Sequence, residues 1–188
     1  MQNIIRTMKS LYPLTDTTVS ALCSQMTLLH IPKNSLLIED NTLNRNLYFI
    51  EEGLCRSFCN FDGEEVTTWF SLEGDVTFAL LPMYRNAPGF ENVQALEDSV
   101  IYSIPFEKLE ALYRSCIDLA NWGRIIHQEC VLLLQTRRIE RMQKTAGERY
   151  HILLNECPEL FNRVKLGYIA SYLGMTQQYL SKLRSDKK

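Results

Sequence analysis

The hydrophobic pattern of the chain changes character at His30-Ile31-Pro32. Before that point, residues 4–29 have helical spacing, with Thr15 as a predicted N-cap. The apolar positions that recur there are Val19, Leu22, Met26 and Leu29. After it, short runs rich in β-branched and aromatic residues alternate with turn signals, which is typical of strands. The predicted strands are 35–39, 47–51, 54–60, 64–70, 91–96 and 99–104.

Turn signals separate these predicted strands at regular intervals. Asp62-Gly63 is a strong hairpin signal because both positions tolerate positive φ. Gly53 and Gly74-Asp75 mark two further breaks. Many short, closely spaced strands predict a sandwich or barrel of the jelly-roll type. The chain has no GxGxxG or P-loop motif, so nothing indicates a nucleotide-hydrolysing α/β domain.

Helical spacing returns at 106–115 and continues from 117 to 143, where Gly123 is the only glycine and no proline occurs. Two apolar rows with a period of seven run along this second segment, which is typical of a coiled-coil seam. We therefore predict a long helix that forms a symmetric homodimer, the alternative being a helix buried wholly against its own barrel. The predicted interface residues are Leu119, Trp122, Ile125, Ile126, Leu132, Leu133 and Ile139.

The C-terminal region has the spacing of a helix-turn-helix. A helix is predicted to begin at Thr145 or Ala146 and to stop before Pro158. Further along, Gly174 supplies the positive φ of a turn, and Thr176 can cap the second helix of the motif. The apolar residues Ile169, Ala170, Leu173, Met175, Leu180 and Leu183 would face inward. The residues predicted to contact DNA are Thr176, Gln177, Gln178, Tyr179, Ser181, Lys182 and Arg184. The alternative is an ordinary helix pair that closes a small core.

Charge is distributed unevenly in a way that favours DNA binding. Residues 137–188 contain eleven lysines and arginines against five acidic residues, which leaves nine basic and seventeen acidic residues in 1–136. A basic region around a helix-turn-helix is typical of a protein that contacts phosphates.

The composition is that of a soluble globular protein, with 46% hydrophobic and 22% charged residues. No apolar run reaches the roughly 20 residues of a membrane span, and the N-terminus lacks a secretory signal, so we expect a cytoplasmic protein without membrane association. The six cysteines are scattered, form no CxxC and are expected to be reduced and mostly buried. The three histidines are too dispersed to complete a metal site, so no metal or cofactor is expected.

In this order of parts the chain resembles the CRP/FNR family of bacterial transcription regulators. The most specific stretches are YFIEEGLCRSF, DGEEVTTWFSLEGD and YIASYLGMTQQYLSKLR. The resemblance implies an α+β protein with a cyclic-nucleotide-binding-like β-roll at 1–116, a long dimerisation helix at 117–143 and a helix-turn-helix domain at 144–188. It also implies double-stranded DNA with a palindromic operator as partner, and a small-molecule effector in the β-roll. Gln177, Gln178 and Lys182 would then face bases, while Thr176, Tyr179 and Ser181 would contact or support the backbone.

The segment TFALLPMYRNAPGFENVQA departs from the family pattern. It lacks the Gly-Glu pair that holds the ribose of a cyclic nucleotide, and Glu91-Asn92 stands where the family has an Arg-Ser or Arg-Thr pair. A carboxylate there would repel a phosphate, so we expect a degenerate pocket that does not bind cyclic AMP. Arg85 is the only basic residue of the segment; it could serve another anion or be a solvated loop residue. The residues assigned to the pocket are Phe78, Leu80, Arg85, Glu91 and Asn92. The family's β-wing and the grouped cysteines of its iron–sulfur branch are also absent.

Three classes of function fit these features to different degrees. The first is a dimeric, sequence-specific DNA-binding regulator. The second is a ligand-sensing β-roll that acts through a protein partner, with the helix-turn-helix serving only to pack. The third is a cupin-like enzyme, which needs several histidine and carboxylate ligands on facing strands. No histidine lies between Phe49 and Ser115, so catalysis is not expected.

Overall fold

The computed structural model describes residues 1–185. The chain begins with two helices, α1 (Gln2–Leu11) and α2 (Asp16–Gln25). Thr15 caps α2 as predicted, because its side chain accepts a hydrogen bond from the Thr18 N–H. The prediction of helix up to residue 29 is wrong: Met26 is already extended, and Thr27–Ile31 forms a strand that pairs along its whole length with the last strand of the sheet.

Residues 27–105 form the β-roll, which contains eight strands. They are β1 (Thr27–Ile31), β2 (Leu36–Ile38), β3 (Asn46–Glu52), β4 (Cys55–Phe61), β5 (Glu64–Ser71), β6 (Val76–Thr77), β7 (Asn92–Ala95) and β8 (Ser99–Pro105). Two four-stranded antiparallel sheets result, in the orders β1-β8-β3-β6 and β2-β7-β4-β5. The six predicted strands are all present, and the expectation of a jelly-roll architecture is confirmed.

Two glycine positions explain how the chain reverses inside the β-roll. Asp62 and Gly63 both have positive φ, 49° and 85°, as the predicted hairpin between β4 and β5 requires. Gly53 has a φ of 100°, and a Cβ placed there would lie 2.2 Å from Ser99 Oγ. Only glycine therefore fits between β3 and β4 without moving β8.

Seven helices follow α2. They are α3 (Leu80–Arg85), α4 (Phe106–Ser115), α5 (Ile117–Gln143), α6 (Ala146–Glu156), α7 (Leu160–Arg163), α8 (Leu166–Leu173) and α9 (Gln177–Ser185). The long helix has the predicted bounds. Thr145 and Glu148 form a complete capping box at the start of α6, so the helical region restarts only two residues after α5 ends.

The buried side chains form three clusters. One fills the space between the two sheets around Ile38, Ile50 and Ile101. A second joins the N-terminal helices, α4 and the start of α5 to Phe49 and Ile104. The third combines Leu54, Phe70 and Leu96 of the β-roll with residues of α6–α9. The C-terminal helical unit, defined as α6–α9, therefore shares a core with the β-roll. The residues that it contributes are Tyr150, Leu153, Leu160, Phe161, Val164, Ile169, Ala170, Leu173 and Leu180.

Candidate functional sites

The turn between α8 and α9 has the geometry that the sequence predicts. Gly174 is left-handed, with a φ of 67°. Its N–H donates to the Ser171 carbonyl at 3.0 Å, and the Met175 N–H donates to the Ala170 carbonyl at 3.0 Å. Thr176 then accepts a hydrogen bond on Oγ1 from the Tyr179 N–H at 3.2 Å, which caps α9.

Helix α9 presents a polar surface to solvent and an apolar edge to the core. Leu180 is fully buried and Leu183 packs against the same cluster. The residues predicted to contact DNA are all exposed, namely Thr176, Gln177, Gln178, Tyr179, Ser181, Lys182 and Arg184. The last turn carries Lys182 and Arg184, and the first turn has no acidic residue. This surface is therefore polar, positively charged and unobstructed within the described chain.

The two glutamines of α9 have different surroundings. Gln177 Oε1 lies 2.9 Å from the place that a Cβ on Gly167 would occupy, so its side chain lies over α8. Gln178 and Lys182 are four residues apart and share one face of α9. The structure thus separates Gln177, which contacts its own chain, from the outward pair Gln178 and Lys182.

The first apolar row of α5 faces the chain's own core. Leu119 and Trp122 are 0% and 2% exposed, and the Trp122 ring stacks on Phe49 with centroids 6.0 Å apart. Ile126 packs against the same cluster. Assigning Leu119 and Trp122 to a dimer interface is therefore wrong, because the β-roll and α4 already cover them. Leu133, the last member of this row, is 37% exposed.

The second apolar row points away from the core. Leu132 is 61% exposed and Ile139 is 42% exposed, while Ile125 is half-buried. The other exposed apolar residues in this part of α5 are Val131, Leu134 and Met142. Within residues 1–185, this apolar row of α5 is therefore not covered by the rest of the chain. We name this surface the α5 stripe; it consists of Ile125, Leu132 and Ile139.

The segment assigned to the effector pocket makes aromatic contacts that the sequence did not reveal. The ring of Tyr84 on α3 meets the ring of Phe78 edge-on, with centroids 5.8 Å apart. The Tyr84 hydroxyl and Nε2 of His127 on α5 form a hydrogen bond. Burial raises the pKa of Tyr84 to about 12, so the phenol stays protonated. Spacing could not reveal this pair, because its members lie on separate elements and 43 residues apart.

The remaining pocket residues do not assemble into an anion site. Leu80 and Arg85 are exposed on α3. Asn92 is buried and uses its side-chain oxygen to accept from the Asp40 N–H at 3.1 Å. Glu91 is half-buried, and this burial raises the pKa of its carboxyl group. Within residues 1–185, no ion pair or hydrogen bond joins Arg85 to Glu91.

The described residues contain no group of three or more metal-ligating side chains in the geometry of a metal site. No helix among them combines the length and apolarity needed to cross a membrane. All six cysteines are free; only Cys55 is fully buried, and burial raises the pKa of its thiol to about 12.

Arg56 of β4 connects the β-roll to α8. It is completely buried, donates from Nε to Thr67 Oγ1 at 2.8 Å and pairs through Nη1 with Glu65 at 2.6 Å. Its guanidinium lies over the ring of Tyr168 on α8. Next to it, Ser171 Oγ accepts from the Thr67 N–H at 2.9 Å. Helix α8 is therefore held against the edge of β5 by polar contacts as well as by the shared core.

Arg163 of α7 makes a second connection. It donates two hydrogen bonds to the carboxylate of Glu73, at 3.0 and 2.7 Å, and two to that of Glu97, at 3.0 and 2.6 Å. Arg163 lowers the pKa of the Glu73 carboxyl group, mainly through these hydrogen bonds. We call this group the Arg163 clamp, consisting of Arg163, Glu73 and Glu97.

Comparison with known protein families finds one match to this chain. Residues 28–116 match the family described as the cyclic nucleotide-binding domain. The match covers the β-roll from residue 28 onward and α4, and it ends just before α5 begins. The β-roll is thus similar to a cyclic nucleotide-binding domain. No protein of curated function matches the sequence.

Several solved structures share the arrangement of the β-roll, the long helix and the C-terminal helices. FixK2 from Bradyrhizobium japonicum superposes with a TM-score of 0.71 at 20% identity, covering 86% of this chain and 83% of that one. A putative transcriptional regulator of the CRP/FNR family from Eubacterium rectale gives 0.67 at 16% identity, covering 93% and 85%. The catabolite activator protein of Thermus thermophilus gives 0.60 at 16% identity, covering 96% and 85%. The chain therefore shares the fold of these three proteins.

Proposed function

We propose that the protein is a dimeric, sequence-specific DNA-binding transcription regulator of the cytoplasm. The proposal rests mainly on the two faces of α9. Leu180 is fully buried, while Gln178, Ser181 and Lys182 are exposed together on one polar surface. A helix that served only to close a core would not need this set of hydrogen-bonding side chains. In helix-turn-helix proteins, the second helix enters the major groove with its N-terminal residues at base edges.

Dimerisation supports the same function. The α5 stripe leaves Leu132 and Ile139 exposed, and pairing two copies along it would cover both. A two-fold dimer carries two copies of α9, so its operator would be palindromic, with half-sites spaced by the helical repeat of DNA. The structural neighbours also include the catabolite activator protein of Thermus thermophilus and a putative transcriptional regulator from Eubacterium rectale.

We propose that the β-roll does not respond to cyclic AMP. Arg85 is exposed on α3 and does not pair with any group in residues 1–185, while Glu91 places a carboxyl group at the start of β7. The Tyr84–His127 hydrogen bond joins α3 to α5. A signal received by the β-roll would therefore differ in chemistry from cyclic AMP.

The second candidate function is a β-roll sensor that acts through a protein partner. The core shared by Leu54 and Phe70 with α6–α9 favours this function, because it shows that these helices pack against the β-roll. In that case the polar face of α9 would have no role in binding DNA.

A DNA mobility-shift experiment with the full chain separates these functions. Sequences would first be selected from a random pool of duplexes, and the selected duplex would then be titrated in parallel with a scrambled one. We expect a discrete shifted species for the selected duplex at a concentration at least about 10³-fold lower than for the scrambled one. Equal affinity for both sequences, or no selection from the pool, would contradict the proposal and favour the protein-partner function.

A further inference from the structure

A cavity of about 470 Å³ lies where the β-roll, α5 and the C-terminal helical unit meet. Residues 66–69 of β5 form one wall, the last third of α5 forms another, and α6 with the end of α8 forms the third. The volume is within the range of roughly 300–1,000 Å³ that small-molecule sites occupy. This cavity is separate from α3 and from the exposed face of α9.

The lining combines positive charge with apolar surface. Four arginines contribute to it, Arg137, Arg138, Arg141 and Arg149, against one acidic residue, Glu140, which is itself paired with Arg137 at 2.9 Å. The apolar lining residues are Val66, Trp69, Leu134, Met142, Leu153, Tyr172 and Leu173. An anion on an apolar body would complement both parts of this surface.

Two of these arginines are held in place by hydrogen bonds to uncharged groups. Arg149 donates twice to the Leu173 carbonyl, at 3.2 and 3.0 Å, and Arg141 donates to the Tyr172 carbonyl at 2.8 Å. Carbonyl acceptors carry no net charge, so these guanidinium groups keep theirs. Arg137 is neutralised by its ion pairs with Glu140 and Glu156. The Arg138 side chain forms no hydrogen bond or ion pair with residues 1–185, so its charge also stays free.

The cavity lies on the opposite side of α5 from the α5 stripe. At about 100° per residue, Arg141 is roughly 180° around the helix from Leu132. Leu134 is seven residues before Arg141 and lies on the same side. A partner copy that pairs along the stripe would therefore leave the cavity open.

We infer that this cavity is an effector site for a small anionic amphiphile, meaning a carboxylate or phosphate attached to an apolar or aromatic body. This inference goes beyond the proposed DNA-binding function and does not depend on it. A ligand there would contact β5, α5 and α8 at once. It would thus act on the position of the C-terminal helical unit without involving α3.

Tryptophan fluorescence of the full chain can test this site, because Trp69 is in its wall. The chain has two tryptophans, so the Trp122→Phe variant, which keeps an aromatic ring against Phe49, leaves Trp69 as the only reporter. Decanoate is the probe, and decanol is its neutral counterpart. We expect a saturable change with decanoate and binding weaker by roughly tenfold or more for decanol.

Two arginine variants of α5 provide the matched comparison. Arg138→Gln removes a free charge from the cavity and should weaken decanoate binding by roughly tenfold. Arg124→Gln removes an exposed charge on the same helix that bonds only to Gln128 at 3.0 Å, and it should leave binding unchanged. Leu134→Glu, which places a carboxylate in the wall, should abolish binding while circular dichroism shows a folded chain.

Three results would overturn the inference. The first is the absence of a saturable response to decanoate up to about 1 mM. The second is equal binding of decanoate and decanol, which would mean that only the apolar surface is used. The third is a loss of DNA affinity in Arg138→Gln together with an unchanged decanoate response, which would assign the arginine to DNA phosphates.

Discussion

The guanidinium carbon of Arg56 lies 3.8 Å from the centre of the Tyr168 ring, across the interface between β4 and α8. The ring of Phe58 is also close, with its centre 4.4 Å from the same carbon. Arg56 is fully buried, and its Nη2 has no hydrogen-bond partner within residues 1–185. Cation–π contacts with the two rings therefore stabilise the guanidinium charge in place of water. The contact between the β-roll and α8 thus depends on an aromatic face at position 168.

Tyr168→Leu should therefore lower the free energy of unfolding more than Tyr168→Phe does. The phenylalanine keeps the ring face over Arg56, whereas leucine removes it, and the expected loss with leucine is about 2 kcal/mol because the pair is desolvated. Urea titrations of both variants measure this. Equal losses would mean that the ring acts only through its packing volume.

The Arg163 clamp should make stability depend on pH in the acid range. Arg163 lowers the pKa of Glu73 below its ordinary value of 4.5, so the folded state holds the ionised form more strongly than the unfolded state. The stabilisation is then complete above that value and is lost as pH falls through the lower, folded-state pKa. Glu73→Gln should cost about 1 kcal/mol near neutral pH. In urea titrations that cost should shrink toward zero in acid.

Glu64→Gln is the matched control for the clamp, because Glu64 is exposed on β5 and forms no ion pair within residues 1–185. Its substitution should leave stability unchanged at either pH. A cost of Glu73→Gln that stays constant across the acid range would show that the ion pair with Arg163 is not its cause.

The sequence predicted those helices and turns that depend only on residues close together in the chain. The length of α5 follows from the lack of proline and of glycines other than Gly123 between residues 117 and 143. The Asp62-Gly63 and Gly174 turns follow from their φ requirements. The orientation of α5 could not be predicted, because both seven-residue rows are equally apolar. Only tertiary packing of Trp122 on Phe49 decides which row faces inward. For the same reason β1 was mistaken for helix, since its pairing with β8 is non-local.

Contacts between distant parts of the chain account for the other missed features. Tyr84 meets His127, and Arg163 meets Glu73 and Glu97, at separations of 43 to 90 residues. No spacing rule covers such pairs. The polar face of α9, in contrast, was predicted in full, because one turn and one helical period determine which side faces outward.

Leu132→Glu combined with Ile139→Glu should prevent formation of the proposed dimer. Both residues belong to the α5 stripe, and two charges per copy would have to be buried in the pairing. Size-exclusion chromatography with multi-angle light scattering measures the mass. Leu43→Glu, at an exposed leucine of the β-roll, should leave the dimer intact. Wild-type protein that is monomeric at micromolar concentration would contradict the prediction. Ile126 is unsuitable for this test because it packs against its own core.

Cyclic AMP should bind negligibly to the full chain. Glu91 would face the phosphate without a basic partner, and Arg85 is exposed on α3. Titration calorimetry should give no measurable heat of binding at micromolar protein. A constant in the micromolar range or tighter would show that another part of the β-roll holds the nucleotide.

Gln178→Ala and Lys182→Ala should each relax the preference for particular operator positions, in both half-sites alike. A glutamine can pair with adenine and a lysine with guanine, each worth roughly 1–3 kcal/mol of discrimination. Gln177→Ala should have a smaller effect, because its side chain lies over Gly167. Repeating the selection from a random pool with each variant measures this. An unchanged selected sequence for Gln178→Ala and Lys182→Ala would mean that α9 is not the reader.

Lys187 and Lys188 lie outside the described residues, and the sequence predicts that they contact phosphate only. Their removal should weaken binding to all sequences about equally and reduce the salt dependence of binding. Titration of selected and scrambled duplexes at several salt concentrations distinguishes this from a change in specificity.

The core shared by Leu54, Phe70 and Leu96 with α6–α9 means that the two halves of this chain are not interchangeable modules. A fragment cut after α5 would expose those three side chains to water. It would also remove Tyr168 from Arg56 and Arg163 from Glu73. Grafting another sensor onto α6–α9 would fail for the same reason unless it supplied an equivalent apolar face. The β-roll and α6–α9 are therefore expected to unfold together, so a substitution that destabilises the β-roll should also lower the stability of α9.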